Sequence, residues 1–325
     1  MIPGESKLSA IIQNVIIGLT VSFVALSLGA ALGMLSGRGA FAGMMSAGII
    51  AFLTAAFGGT RVQCSGPTAP MSAVSAVVVA YGAEQFTSSS LVSVDHFINI
   101  VFLLCGVLLL IMGLLRFGRF ISLVPNVVIS GFMSGIALLI WIDQVDLIFG
   151  WGGKTPLIGP TWENLVLALA TLLLIFSLAP LMRKIVGPRS RFLPATLLAI
   201  ILVTAIASLL HLPVEHVHLD GGFSSLTGFF SLVKSQIPTE WSLQVLGLAF
   251  PFALQLALLC YLDTLLTSLV IDKISGEKTR QNKELLAQGL ANGAIALIGG
   301  IPGAQATIRS VLMLKEKASL RLSGI

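Results

Sequence analysis

The stretch CSGPTAPMSA, residues 64–73, sets a glycine and two prolines at the entrance to a short apolar run, 70–81. A second stretch, GGIPGAQATIR at residues 299–309, leads in the same way into the short run 303–314. At 1.5 Å per residue each run spans about 18 Å, a little over half of a hydrocarbon core of roughly 30 Å. The two are either kinks beside loops or half-helices whose crossing is completed by extended chain.

Composition makes lipid the relevant solvent. Of 325 residues, 56% are hydrophobic and 10% charged, against about 25% charged in ordinary soluble domains. Hydropathy and breakers predict spans at 11–34, 40–58, 70–81, 97–115, 121–149, 163–181, 194–210, 244–271, 284–299 and 303–314, an all-α polytopic membrane protein. With the N-terminus in the cytoplasm and a reversal at each span, fifteen basic residues fall inside and three, Arg38, Lys154 and Lys234, outside; Arg309 lies within the last short span. That asymmetry is what membrane insertion selects, and it holds only if both short segments count as crossings.

The first half-helix then starts from the inside and the second from the outside, and their N-termini meet near the midplane. Extended backbone at that depth survives only within protein or beside a wet cavity. Two short, Gly/Pro-interrupted segments of opposite orientation point to a transporter site between inverted repeats. Helix N-termini, with their free N–H groups and partial positive charge, attract anions.

A carboxylate in lipid marks a functional position. Asp263, in the span 244–271, needs a cavity and a partner there. Thr267 lies four residues on, on the same helical face. Carboxylate and hydroxyl make part of a cage of hard oxygens suited to Na⁺, with unwound carbonyls around Gln305 and Ala306 as further ligands. Two other readings stand beside it: an ion pair with Arg309, and a protonated Asp263 that carries protons.

Other residues exclude more than they suggest. Cys64, Cys105 and Cys260 have no pairing or metal spacing. His211, Glu215, His216, His218 and Asp220 cluster in a predicted outer loop, where solvation is the default; Asp143 and Asp146 fall near a span end. Gly29, Gly33 and Gly37, and also Gly131 and Gly135, have the spacing of close helix contacts. No phosphate loop, nucleophile set or paired catalytic carboxylates stand out, so no enzyme chemistry is expected. The net charge of +5 sits mostly in short loops, which sets orientation rather than nucleic-acid binding. Met1–Leu8 has no cleavable-leader pattern.

The lead-in from Gly58 to Met71 resembles the third-helix entry of the SulP anion transporters, and Asn282–Gly293 with Gly299–Ser310 resembles their ninth and tenth helices. The likeness runs from about residue 14 to the end. It implies fourteen segments in two inverted repeats of seven, with core and gate domains and usually a cytoplasmic STAS domain. On that frame residues 1–10 are a cytoplasmic N-terminus, 11–211 the first repeat, 212–243 an extracytoplasmic loop and 244–325 a partial second repeat. The chain stops after about ten segments, with no STAS domain, so a truncated, non-transporting membrane protein is one expectation for it.

Within that family the chain most resembles sodium-dependent bicarbonate transporters of the BicA type. The resemblance implies a Na⁺ site at Asp263, Thr267 and the turn Gln305, Ala306 and Thr307. It implies bicarbonate between Thr68, Ala69 and Ser72 and the residues Ala306, Thr307, Ile308 and Arg309. Sulfate or dicarboxylate members, proton-coupled or exchanging, are the alternative; Ser27-Leu28, where many of these carry Pro-Gln, favours bicarbonate. Gln305 departs from the small residue expected in the turn. The implied setting is a plasma or inner membrane, with Na⁺ as coupling ion, no organic cofactor, a small inorganic anion and the lipid bilayer as partners, and a possible homodimer.

Overall fold

Gly29 and Gly33 show how closely the helices of this chain approach. A Cβ on Gly29 would stand 2.8 Å from the Gly43 carbonyl oxygen, and one on Gly33 would overlap the Gly39 carbonyl. The first two helices, α1 (Lys7–Leu35) and α2 (Ala40–Phe57), therefore cross backbone to backbone, and Gly37, with φ +76°, turns the chain between them. Gly131 and Gly135 have the same spacing but open space where a side chain would go, so there the pattern marks no close contact among the described residues.

The structure, a computed structural model, describes residues 7–86, 93–123, 125–151, 159–185, 195–214, 226–239 and 241–325. Glu215, His216, His218 and Asp220 of the candidate loop cluster lie outside them, as does Lys154. The chain divides into two compact units, Met1–Pro125 with Leu219–Ile325, and Asn126–His218.

In the first unit, β1 (Ser65–Gly66) leads into α3 (Ala69–Phe86), which is followed by α4 (Val94–Leu114). After the second unit's segment come α8 (Leu226–Gln236), α9 (Leu243–Ser275), α10 (Gln281–Ala296), β2 (Ala304–Gln305) and α11 (Thr307–Lys315). The second unit holds α5 (Asn126–Phe149), α6 (Thr161–Ile185) and α7 (Ala195–Leu209), in which α6 packs on both α5 and α7.

The predicted spans are recognisable, with three differences. The first short segment is longer than 70–81: α3 continues to Phe86, because Gly82 lets Phe97 of α4 pack close against it and Ala83, Glu84 and Gln85 favour helix. The span 121–149 is interrupted, since Phe117–Leu123 form a 3-10 turn and Pro125 offers no N–H to continue it into α5. The expected loop 212–243 carries α8, tied down where Asn99 Nδ2 donates to the Gln236 backbone and side-chain oxygens, both at 2.8 Å.

Five described helices are long and apolar enough to cross a membrane: Ala10–Leu35, Ala40–Phe57, Val94–Leu114, Thr161–Met182 and Leu243–Ser275. Their outward faces are apolar, as in the exposed Ile11, Val15, Leu19 and Phe23 of α1, a stripe that in water would be a liability. Inside, α10 is clasped by α4 and α2. Gly106 of α4 packs on the backbone at Gly289 and Gly293, and Ile50 of α2 closes on Ala291 and Ile295.

Candidate functional site

Both glycine- and proline-rich lead-ins end in two residues of strand, and the strands pair antiparallel, Ser65 opposite Gln305 and Gly66 opposite Ala304. Because the pair is antiparallel, α3 and α11 leave it in opposite directions with their N-termini toward it. Ala306 N–H donates to the Cys64 carbonyl at 3.0 Å, and Cys64 N–H to Ser310 Oγ at 3.0 Å. The two extended lead-ins are thus hydrogen-bonded to each other, as non-helical backbone buried inside a membrane protein must be.

Residues spaced four apart on α10 hold these lead-ins. Asn292 clamps Gly303 from both sides, accepting from its N–H at 2.8 Å and donating to its carbonyl at 3.0 Å. Gln288 donates to Ser65 Oγ at 2.9 Å. Glu284, fully buried, accepts from Gly59 N–H, Thr60 N–H and Gln63 Nε2 at 2.7, 2.9 and 3.1 Å. Sequence reasoning assigned these three no role; their signal is polar side chains at i, i+4 and i+8 along one face of the helix.

Beside the strand pair runs α9. Gln305 N–H donates to Thr264 Oγ1 at 3.3 Å, and the Thr267 and Thr307 hydroxyls bond to each other. Asp263 is 6% exposed and its Oδ2 has no hydrogen-bond partner. Thr68 Oγ1, at the entry to α3, is likewise buried without a partner.

Five of the seven unpartnered buried polar atoms among the described residues belong to the strand pair and its flanking helices: Thr68 Oγ1, Ser72 Oγ, Asp263 Oδ2, Gln305 Oε1 and Arg309 Nη1; the others are Gln288 Oε1 and, in the second unit, Glu163 Oε2. Such groups cost about 1–3 kcal/mol each when left unmade, so the five mark a candidate place for a ligand. The N-cap of α11, Ala306, supplies no side-chain cap, which leaves the first N–H groups of α11 to be satisfied from outside the helix.

Each expected site residue can now be placed. Thr68 precedes α3 and its carbonyl accepts from Ser72 N–H at 2.9 Å; Ala69 opens the helix. Gln305, Ala306 and Thr307 form the turn from β2 into α11. Arg309 is buried, with Nη2 donating to the Pro67 carbonyl at 3.1 Å. The ion-pair reading of Asp263 fails: among the described residues the ion pairs are Arg38–Asp95 and Arg61–Glu277, because Arg309 spends its reach on the lead-in to α3. The Ile308 side chain is 82% exposed, so its backbone N–H is its candidate contact.

A family model, the sulfate permease family, matches residues 11–325 of the chain. The chain belongs to that family. It is 33% identical to the bicarbonate transporter BicA of Picosynechococcus sp., over 95% of this chain and 54% of that protein. It is 28% identical to the putative sulfate transporter YvdB of Bacillus subtilis, over 96% and 57%. The chain thus spans a little over half the length of these curated relatives. Among solved structures it resembles the transmembrane domain of a cyanobacterial BicA, with TM-score 0.74 and 28% identity over 98% of this chain and 80% of that one. It shares its fold with SLC26A9 at TM-score 0.76 and 18% identity, over 99% and 53%. The apolar helices and this family place the chain in a membrane as an integral protein, and its helical fold is that of these transmembrane domains.

Proposed function

We propose that the chain is the ion-binding part of a secondary anion transporter, a sodium-coupled bicarbonate symporter. The observation that carries the reading is the set of unpartnered buried atoms, on Thr68, Ser72, Asp263, Gln305 and Arg309, around the strand pair from which both half-helices start. The anion would lie between the N-terminal turns of α3 and α11, taking hydrogen bonds from Ser72 and the backbone N–H groups of Ala69, Thr307 and Ile308. Arg309 Nη1 would add attraction from one turn into α11.

Na⁺ would take Asp263 Oδ2 with the Thr267 and Thr307 hydroxyls and the carbonyls of Gln305 and Ala306. One carboxylate with neutral oxygens fits a monovalent hard cation, and no cluster of three or more His, Cys, Asp or Glu side chains exists among the described residues to favour a transition metal. The cation would offset the Asp263 charge beside the anion, so each ion would raise the other's affinity by the same factor. Bicarbonate is preferred because the more similar relative bears that name.

A sulfate or dicarboxylate substrate is the second reading, favoured by the likeness to YvdB. Radiolabelled bicarbonate uptake with and without Na⁺, in wild type and Asp263→Asn, separates them. Sodium-stimulated uptake that the variant loses is expected. Uptake indifferent to Na⁺ and to the variant would sink the sodium reading, and strong competition by sulfate would transfer the substrate to the second.

A further inference from the structure

Away from the ion site, at the ends of α2 and α9 and the start of α10, five basic side chains surround an open cleft of about 550 Å³: Arg61, Lys278, Arg280, Lys283 and Arg321. Among the described residues no acidic side chain lines it. Of the nearby carboxylates, Glu277 pairs with one of the five, Arg61, at 2.6 Å, whereas Asp272 accepts from Thr279 N–H and Oγ1 at 2.9 and 2.6 Å and Glu284 is buried beneath its four donors. Lys278, Arg280 and Lys283 have no ion-pair partner among the described residues.

Two further features point the cleft at an anion. The sixteen-residue α10 begins at its wall with Arg280 as an N-cap that makes no side-chain bond, so the helix's positive end is open there. Arg321 is not a loose surface charge, since its Nη1 donates to the carbonyls of Ala55 and Gly58 at 3.0 and 2.9 Å. It fixes one wall of the cleft and leaves its remaining donors on a rigid base.

Leu320 lines the cleft and its neighbour Leu322 is exposed, as are Phe57 and Ile274 at the ends of the membrane-spanning α2 and α9. A group of basic side chains, Arg321 among them held by two carbonyls, at the ends of membrane-spanning helices matches a phosphate headgroup with its acyl chains nearby. We infer that this cleft binds a phosphate group, and that its source is an anionic phospholipid of the adjacent leaflet.

The purified full chain in detergent is titrated with dioctanoyl phosphatidylglycerol, dioctanoyl phosphatidylcholine and inorganic phosphate, with binding read by native mass spectrometry and by the shift in Tm. Saturable phosphatidylglycerol binding, little phosphatidylcholine binding, and weakening in the double variant Lys278→Gln/Lys283→Gln are expected. At about fivefold per lysine the loss is roughly 25-fold. Both lysines are exposed, so the variant keeps its lipid-free Tm and the comparison stays interpretable. Inorganic phosphate that binds as tightly and displaces the lipid would keep the site and make free phosphate its source. Phosphatidylglycerol and phosphatidylcholine binding equally, or binding unchanged in the double variant, overturns the inference.

Discussion

Gly303 and Gly66 stand back to back: a Cβ on Gly303 would overlap the Gly66 carbonyl. The contact lies in the strand pair from which both half-helices start, so its tightness sets where α3 and α11 begin. Gly303→Ala forces backbone to move rather than a side chain to turn. We expect a loss of about 1–3 kcal/mol, read as a lower Tm, and loss of anion binding in protein that still folds. Ala304→Gly, one residue away, adds no atom and leaves the pairing intact.

The Glu284 carboxylate is the shared acceptor for two backbone N–H groups and the Gln63 amide. Glu284→Gln removes the charge and sets an amide group against the Gln288 amide that donates to the other carboxylate oxygen, while Glu284→Ala leaves the two backbone N–H groups unpaired. Each buried donor left without a partner costs about 1–3 kcal/mol. Both variants should lower Tm, with Glu284→Ala at least as low, and 1 M salt should not rescue them because the site is shielded from solvent. A Tm within a degree of wild type for Glu284→Ala would show that the turn at Gly59 and Thr60 holds without it.

The starts of α3 and α11 were legible in sequence because proline and glycine punctuate the chain there, whereas the length of α3, which runs to Phe86, was not. Asp263 was legible because a carboxylate in an apolar span is conspicuous. The β1–β2 pairing was not, since two residues per strand carry no period. Nor were the side chains that bind it: Asn292 meets Gly303 across a turn, and Glu284 reaches residues far away in sequence, which no local pattern encodes. The Asp263–Arg309 pair was a fair inference from a lone cation near a lone anion. The described structure instead has the guanidinium donating to the Pro67 carbonyl.

The Thr267–Thr307 hydrogen bond joins α9 to the first residue of α11. If both oxygens ligate Na⁺, then Thr267→Val and Thr307→Val each weaken Na⁺ binding by about five- to tenfold. Together they should weaken it by less than the product, since each single variant already breaks the shared pair. Isothermal titration with NaCl in a choline background checks this. Additive losses would show that the two hydroxyls act separately.

Arg309 gives the sharpest test of linkage between the two ions. Its Nη2 is committed to Pro67 and its Nη1 is left over, so the guanidinium is a strut for the α3 lead-in and, in the proposed site, also a charge facing the anion. Lysine keeps the charge but cannot do both with one ammonium. Arg309→Lys should therefore weaken bicarbonate binding by roughly tenfold while lowering Tm modestly. Reciprocity then fixes a second quantity: if the coupling between bicarbonate and Na⁺ is intact, saturating Na⁺ improves bicarbonate affinity by the same factor in variant and wild type. A changed factor would mean that Arg309 transmits the coupling, whereas an unchanged one confines its role to anion affinity. Measuring bicarbonate Kd at zero and saturating Na⁺ in both proteins decides between them, with the unchanged factor expected because the sodium ligands lie on α9 and the turn before α11.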